Sequence, residues 1–159
     1  MTAGFHIAPA RSAADLAAVA ELFAGYAASL PVDLGYQDFD GELAALPGKY
    51  APPAGELFLA RDAAGAPLGC VGLRPLPDDG CCEMKRLFLL PAARGLGLGR
   101  ALTEAVVAHA RTLGYRQLRL DTLASMTAAQ ALYRSMGFEP TAPYYAPTPE
   151  GTVFMGLRL

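Results

Sequence analysis

Apolar positions along the chain recur with two periods, and the alternation between them lays out a set of elements. Phe5 to Ala8 is a short apolar run before Pro9 and predicts a strand. Leu16, Val19, Leu22, Phe23 and Tyr26 then recur at helical spacing, with Ser12 and Asp15 as an N-cap pair and Pro31 closing the region. The stretch from Asp33 to Pro53 is mixed, with a short helix expected near Phe39 to Leu46 and breakers on either side. Glu56 to Arg61 and Leu68 to Leu73 read as strands of a hairpin joined by DAAGAP, and PDDG leads into a third strand, CCEMKRLFLL. Leu98, Leu102, Ala105, Val106, His109 and Leu113 form a helical stripe that ends at Gly114. RQLRLDTL follows as a strand, and Thr127 to Met136 as a helix closed by Gly137 with Ala129, Leu132, Tyr133 and Met136 on one face. Phe138 starts a further strand, and VFMGLRL reads as a terminal one after the loop APYYAPTPEGT. A mixed α/β domain covering residues 1–159 is expected, without repeat or linker.

Composition narrows the function. With 53% hydrophobic and 18% charged residues the chain is globular, not disordered. Thirteen basic against fifteen acidic residues leave a net charge of −2, so no positive excess exists to release counterions from nucleic acid, and none is expected as partner. Three cysteines without C-x-x-C spacing imply neither a disulfide framework nor a zinc site, so no metal is expected and a reducing compartment is. Arg11, Asp15 and Glu21 interrupt any leader-like apolar run, and no run reaches the roughly 20 residues that span a bilayer. A cytoplasmic protein with no membrane partner is the expectation.

The chemistry concentrates in RLFLLPAARGLGLGR, Arg86 to Arg100. A strand running into a glycine-rich turn and then a helix exposes unpaired N–H groups at the positive end of the helix dipole, a seat for phosphate. Side chains at Gly95, Gly97 or Gly99 would hold an anion away from the main chain or forbid the required φ angles. Arg94 and Arg100 could add charge-assisted contacts. The spacing matches neither a dinucleotide fingerprint, since the sixth place from Gly95 is Arg100, nor a Walker motif, which needs G-K-[ST]. A turn that merely connects strand to helix stays open on the glycines alone.

The run Arg94-Gly95-Leu96-Gly97-Leu98-Gly99 fits R-x-x-G-x-G, and together with LRLDT and AAQALYRSMGF it resembles the GNAT superfamily of N-acetyltransferases over roughly Cys82 to Glu139. The resemblance implies a mixed, mostly antiparallel central sheet with helices on both faces and two splayed parallel strands at the cofactor site. It implies acetyl-CoA as cosubstrate, its pyrophosphate on the glycine turn (Arg94, Gly95, Leu96, Gly97, Leu98, Gly99, Arg100) and its pantetheine arm paired with backbone at Leu87, Phe88 and Leu89. In many members the tyrosine matching Tyr133 points at the cofactor sulfur; from its helical stripe alone, Tyr133 is a core aromatic. Where the superfamily often has a cofactor-contacting Asn, this chain has Met126, so Ser125 or backbone is expected to replace it.

An amine acceptor is protonated at neutral pH and must lose a proton before attack. Glu83 is the candidate base, direct or through water, because burial beside apolar neighbours would suit it to accept one; it equally reads as a strand carboxylate paired with Lys85 or Arg86. Asp121 and Thr122 end the second splayed strand and are expected near substrate, or Asp121 ties down a loop. Tyr26, Tyr36, Asp38, Phe39, Tyr144 and Tyr145 are candidates for the acceptor wall. His109 and His6 carry no expected chemistry, and Cys81 and Cys82 lie too near the strand's start for a covalent nucleophile. The expected function is transfer of an acetyl group to a primary amine of a small molecule by direct attack. A protein amino group as acceptor, a noncatalytic acyl-CoA-binding module and a nucleotide-binding domain stay open, and the resemblance leaves room for a homodimer.

Overall fold

The computed structural model describes residues 4–159. Its centre is a seven-stranded sheet in the order β1-β2-β3-β4-β5-β7-β6, comprising β1 (Phe5–Pro9), β2 (Glu56–Asp62), β3 (Pro67–Pro75), β4 (Cys81–Leu89), β5 (Gln117–Thr122), β6 (Glu139–Pro140) and β7 (Val153–Arg158). Every neighbouring pair is antiparallel except β4 and β5. The helices are α1 (Ala13–Ser29), α2 (Phe39–Ala44), α3 (Leu98–Thr112) and α4 (Thr127–Ser135), with short 3-10 turns at Leu34–Gln37, Gly48–Tyr50 and Pro91–Ala93. The element order is the one the hydrophobic pattern predicts. Among the described residues no helix is long and apolar enough to cross a membrane.

Both faces of the sheet are covered, which is why β2 is a continuous apolar run. Leu57 and Leu59 point into one cluster with Val19, Leu22 and Phe23 of α1, whereas Phe58 and Ala60 point into the other with Leu98, Leu102 and Val106 of α3. The α1 end is fixed as its sequence demands. Ser12 Oγ accepts from the Asp15 N–H at 3.0 Å and Asp15 returns the bond to the Ser12 N–H, a full capping box. Gly72 of β3 is needed for packing: a Cβ there would sit 2.7 Å from the Tyr50 ring.

One strand breaks the period. Between Cys70↔Phe88 and Gly72↔Lys85 the β3–β4 register shifts, so that Arg86 and Leu87 together oppose Val71, and Arg86 takes a φ of 61°. The bulge inverts the side-chain phase. Cys82 and Met84 face the α3 cluster, but Phe88, four residues after Met84, faces the α1 cluster while Leu87 and Leu89 pack on the α3 side.

Candidate active site

The parallel pairing of β4 with β5 covers only Cys81↔Gln117, Cys82↔Leu118 and Glu83↔Arg119. Beyond Glu83 the strands part. Between them lies a narrow cleft lined by Lys85 and Leu87 from β4, Asp121 and Thr122 from β5, Tyr133 from α4 and Tyr26 from α1. The bulge at Arg86 opens the gap from the β4 side, because it takes the strand out of step with its ladder as β5 leaves.

At the far end of β4 the chain turns through Pro91–Ala93 into the glycines. Gly95 and Gly97 have φ of 79° and 78°, values that only glycine adopts freely, and Gly97 is the N-cap of α3. The first helical bond of α3 is Ala101 N–H to the Gly97 carbonyl, and the amides from Leu96 to Arg100 donate no hydrogen bond among the described residues. No atom lies within 4 Å of where a Cβ on Gly95 or Gly97 would stand, so the space over these amides is open. A diphosphate fits this cradle: it offers acceptors to amides that have none. Gly99 differs in being helical, its missing Cβ facing Leu132 of α4 at 3.6 Å. Arg94 reaches the Leu89 carbonyl at 3.5 Å, and Arg100 donates to Ser135 Oγ at 2.6 Å, tying α3 to α4.

Beside the cleft, the α1-side face of β4 and β5 carries charge. Glu83, wholly buried, accepts from Arg74 Nε at 2.7 Å and from the Tyr144 hydroxyl, with Lys85 Nζ 3.9 Å away. Lys85 Nζ also lies 3.4 Å from Asp121, whose second oxygen accepts from the Tyr145 hydroxyl at 2.6 Å. The Tyr145 hydroxyl in turn accepts from Gln37 Nε2 at 3.0 Å. Two adjacent tyrosines of the β6–β7 loop therefore close this face. Arg86 forks onto Glu42 of α2 at 2.9 and 3.2 Å and lies over the rings of Tyr26 and Phe39.

Tyr133 is buried on the cleft wall, and its hydroxyl makes no hydrogen bond among the described residues. Burial first, then the negative charge of Asp121 and the Tyr26 phenol, push its pKa above the usual phenol range, so it stays a proton donor at neutral pH. Thr122 also presents a buried hydroxyl without a partner at the cleft. Cys82 is buried, and desolvation pushes its thiol up to about 12, with Cys81 and Glu83 adding, which leaves no thiolate to act as nucleophile.

The family model for the acetyltransferase (GNAT) family matches residues 19–138. The chain belongs to that family. It is 42% identical over 134 residues to an uncharacterized N-acetyltransferase of Schizosaccharomyces pombe, covering 84% of this chain and 82% of the relative. It is 34% identical over 112 residues to the uncharacterized N-acetyltransferase YjgM of Escherichia coli, covering 69% and 66%. Among solved structures, a GNAT-family acetyltransferase from Staphylococcus aureus superposes with a TM-score of 0.80 at 19% identity over 97% of this chain and 98% of that one. A GNAT phosphinothricin acetyltransferase from Sinorhizobium meliloti, determined in complex with acetyl-CoA, superposes with a TM-score of 0.72 at 22% identity over 98% and 89%. This chain is thus a GNAT-family N-acetyltransferase with the expected fold: a mostly antiparallel sheet with one parallel pair, splayed.

The structure distributes the sequence-predicted residues of this GNAT protein unevenly. Leu87 and Tyr133 line the cleft, Phe88 and Leu89 follow on the same strand, and Arg94 to Arg100 form the turn at its end. Ser125 sits exposed in the β5–α4 turn, and Met126, at the N-cap of α4, lines the cleft in its place. Glu83 lies behind the cleft wall, where Asp121 and Lys85 stand in front. Of the expected acceptor residues, Tyr26 lines the cleft, Phe39 packs against Arg86, and Tyr144 and Tyr145 close the charged face; Asp38 is exposed on the rim, and the Tyr36 side chain lies outside the described residues. His109 packs on Phe58, 3.8 Å from Glu56, away from the cleft. Sequence reasoning missed Arg74 and underweighted Lys85. The signal for Lys85 was present in Glu83-x-Lys85 on β4 and Arg119-x-Asp121 on β5, where charges alternate and must share a face.

Proposed function

We propose that this GNAT chain acetylates a primary amine of a small molecule by direct attack, all 159 residues serving as one cytoplasmic catalytic domain. Acetyl-CoA supplies an activated acyl thioester. The amides from Leu96 to Arg100 bind its diphosphate, with Arg94 at the rim, and backbone at Leu87, Phe88 and Leu89 pairs with the pantetheine amides as an added strand would. The Thr122 hydroxyl supplies a polar contact on the opposite wall, where Met126 has none to give.

The acceptor ammonium passes its proton through water in the cleft to a carboxylate, Asp121 on the wall or Glu83 behind it, and the Lys85 ammonium holds both carboxylates in place. As the N–C bond forms and the C–S bond breaks, the Tyr133 hydroxyl donates toward the leaving sulfur. Both groups have their pKa ordered for the step, since a thiol titrates near ~8.5 and Tyr133 far above it, so Tyr133 polarises and orients more than it surrenders a proton. The observation that carries this reading is the opening between β4 and β5, with unpaired amides at one end and the unengaged Tyr133 hydroxyl on its wall. Free Cys70, Cys81 and Cys82 agree with a reducing compartment. Purified protein with acetyl-CoA and a panel of small amines should release free thiol; none from any amine, while CoA still binds, would overturn the transfer step.

A further inference from the structure

Two carboxylates stand at the charged wall of the cleft, and their surroundings differ. Glu83 is wholly buried; its Oε1 accepts from Arg74 Nε at 2.7 Å, its Oε2 accepts from the Tyr144 hydroxyl, and Lys85 Nζ lies 3.9 Å away. Asp121 lines the cleft with 12% of its side chain exposed, and its one ion-pair partner among the described residues is Lys85, Nζ standing 3.4 Å from Oδ1. A proton placed on Glu83 would forfeit attraction to two cations, one of them in hydrogen-bond contact, whereas on Asp121 it would weaken the hold on one. Lys85, as an ammonium, has only donors to offer.

A chain of donors aims the second oxygen of Asp121. Gln37 Nε2 donates to the Tyr145 phenol oxygen at 3.0 Å, which leaves the phenol proton to point at Asp121 Oδ2, 2.6 Å away. Phe154, the partner of Asp121 across β5 and β7, meets the Tyr145 ring edge-on at 5.5 Å and holds it there. With Lys85 on one oxygen and Tyr145 on the other the carboxylate is fixed in plane, and of its roughly four acceptor sites some stay open on the cleft side for water or an ammonium. The ionisable groups around it are Glu83 and Lys85 of β4, Tyr144 and Tyr145 of the β6–β7 loop, Tyr133 of α4 and Tyr26 of α1, while Arg86 and Arg119 are committed to Glu42 and Asp78. The charge of Asp121 is felt at the Tyr133 hydroxyl, so this proton acceptor and that donor share one cleft.

We infer that Asp121, and not Glu83, takes the proton of the acceptor amine, and that Tyr145 is the residue that positions it. The inference rests on the acyl-transfer reading above. An ammonium nitrogen gives up two protons in becoming an amide. The first breaks from nitrogen to Asp121, directly or through one water, and leaves to solvent after the product. The freed lone pair forms the N–C bond, the C–S pair departs on sulfur, and the second proton ends there as the thiol.

The test measures thiol release from acetyl-CoA with the panel alkylamine that reacts fastest, from about pH 7 to about pH 9.5, in the wild type, Asp121→Asn, Tyr145→Phe and Glu83→Gln. Calorimetric CoA affinity, expected to hold in all three variants, checks folding. An alkylamine, with a pKa of roughly 10.4, supplies about tenfold more free base per pH unit over this range, and the free base has already shed its first proton. Asp121→Asn should therefore lower kcat/KM about a hundredfold or more near pH 7 and recover much of the deficit toward pH 9.5. Tyr145→Phe should lose about threefold or more with the same recovery, and Glu83→Gln should show a loss that does not vary with pH. Tyr145→Phe keeps its ring on Phe154 and carries the test alone if Asp121→Asn does not fold. A full rate in Asp121→Asn, a deficit of one size at every pH, or a recovering deficit in Glu83→Gln alone overturns the assignment to Asp121. An undiminished rate in Tyr145→Phe overturns its positioning role. Absence of thiol from every amine with the wild type, by contrast, defeats the transfer reading itself and the assignment with it.

Discussion

Gly97 offers the sharpest test of the anion cradle, because two nearly isosteric side chains separate its two requirements. A φ of 78° costs an L-residue roughly 1–2 kcal/mol, but Asn and Asp tolerate it alike. No atom lies within 4 Å of the added Cβ, so Gly97→Asn and Gly97→Asp should both fold and lose similar stability in thermal melts. They differ by one negative charge over the amides of Leu96 to Arg100. Two charges about 4 Å apart interact by about 1 kcal/mol in water and about 4 kcal/mol at a protein-surface dielectric. The turn is exposed, so the lower part of that range applies, about 1 to 2 kcal/mol, or roughly five- to thirtyfold in affinity. Calorimetric titration of CoA should show Gly97→Asp weaker than Gly97→Asn by that factor, with the gap narrowing as salt rises. Equal affinities in the two variants at low salt would mean that no phosphate approaches this turn.

Tyr133→Phe keeps the ring on the apolar stripe of α4, so turnover should fall about tenfold or more while the Kd for CoA holds; full turnover would return the residue to a packing role. Asp15 is held down to about 2 by the Arg11 N–H, the Arg61 guanidinium and the Ser12 N–H, against an ordinary value of roughly 3.9. A depressed carboxylate stabilises the fold above its unfolded pKa and loses that contribution as pH falls through its folded one, so Asp15→Asn should be less stable than the wild type above about pH 4, with the two urea-denaturation curves converging toward about pH 2. Arg11 forks onto buried Glu56 at 2.6 and 2.7 Å, and without it that carboxylate keeps only the Leu57 N–H and His109. Arg11→Ala should therefore cost about 1 to 3 kcal/mol in urea denaturation, more than an exposed pair would, and Arg11→Met with Glu56→Gln should recover most of it; a loss under about 0.5 kcal/mol would show the pair to be slack.

What could be read from the chain alone was whatever repeats within a few residues. The Ser12 cap, the α3 and α4 stripes and the glycine turn are local signals, and each lies where its pattern puts it. The charged face resisted reading because its partners are distant: Tyr144 meets Glu83 across 61 positions and Tyr145 meets Asp121 across 24, from a loop with no period of its own. Glu83 illustrates the cost. Its strand position left it open as a base or as a strand carboxylate paired with Lys85 or Arg86; the face it shares with Lys85 is roofed by those tyrosines, and Asp121 rather than Glu83 lines the cleft. Phe88 was displaced for another reason, since an even count from Met84 assigns it to the α3 side and a single inserted residue sends it to the other.

That inserted residue joins the two halves of the site. A positive φ at Arg86 costs roughly 1–2 kcal/mol and persists only where the surroundings compensate it. The compensation comes from Glu42 and Phe39 of α2 and Tyr26 of α1, the segments that wall the acceptor side, through a forked ion pair and two ring faces. The bulge also turns Phe88 into edge contact with Tyr26 at 6.2 Å, anchoring α1 from the same strand. An unbulged β4 would keep neither Arg86 nor Phe88 on that side and would continue in step with β5, so the gap for the cofactor and the attachment of the acceptor wall arise from one distortion. The contacts that hold α1 and α2 against the sheet and the parting of β4 from β5 therefore meet at one bulge, Arg86 to Phe88.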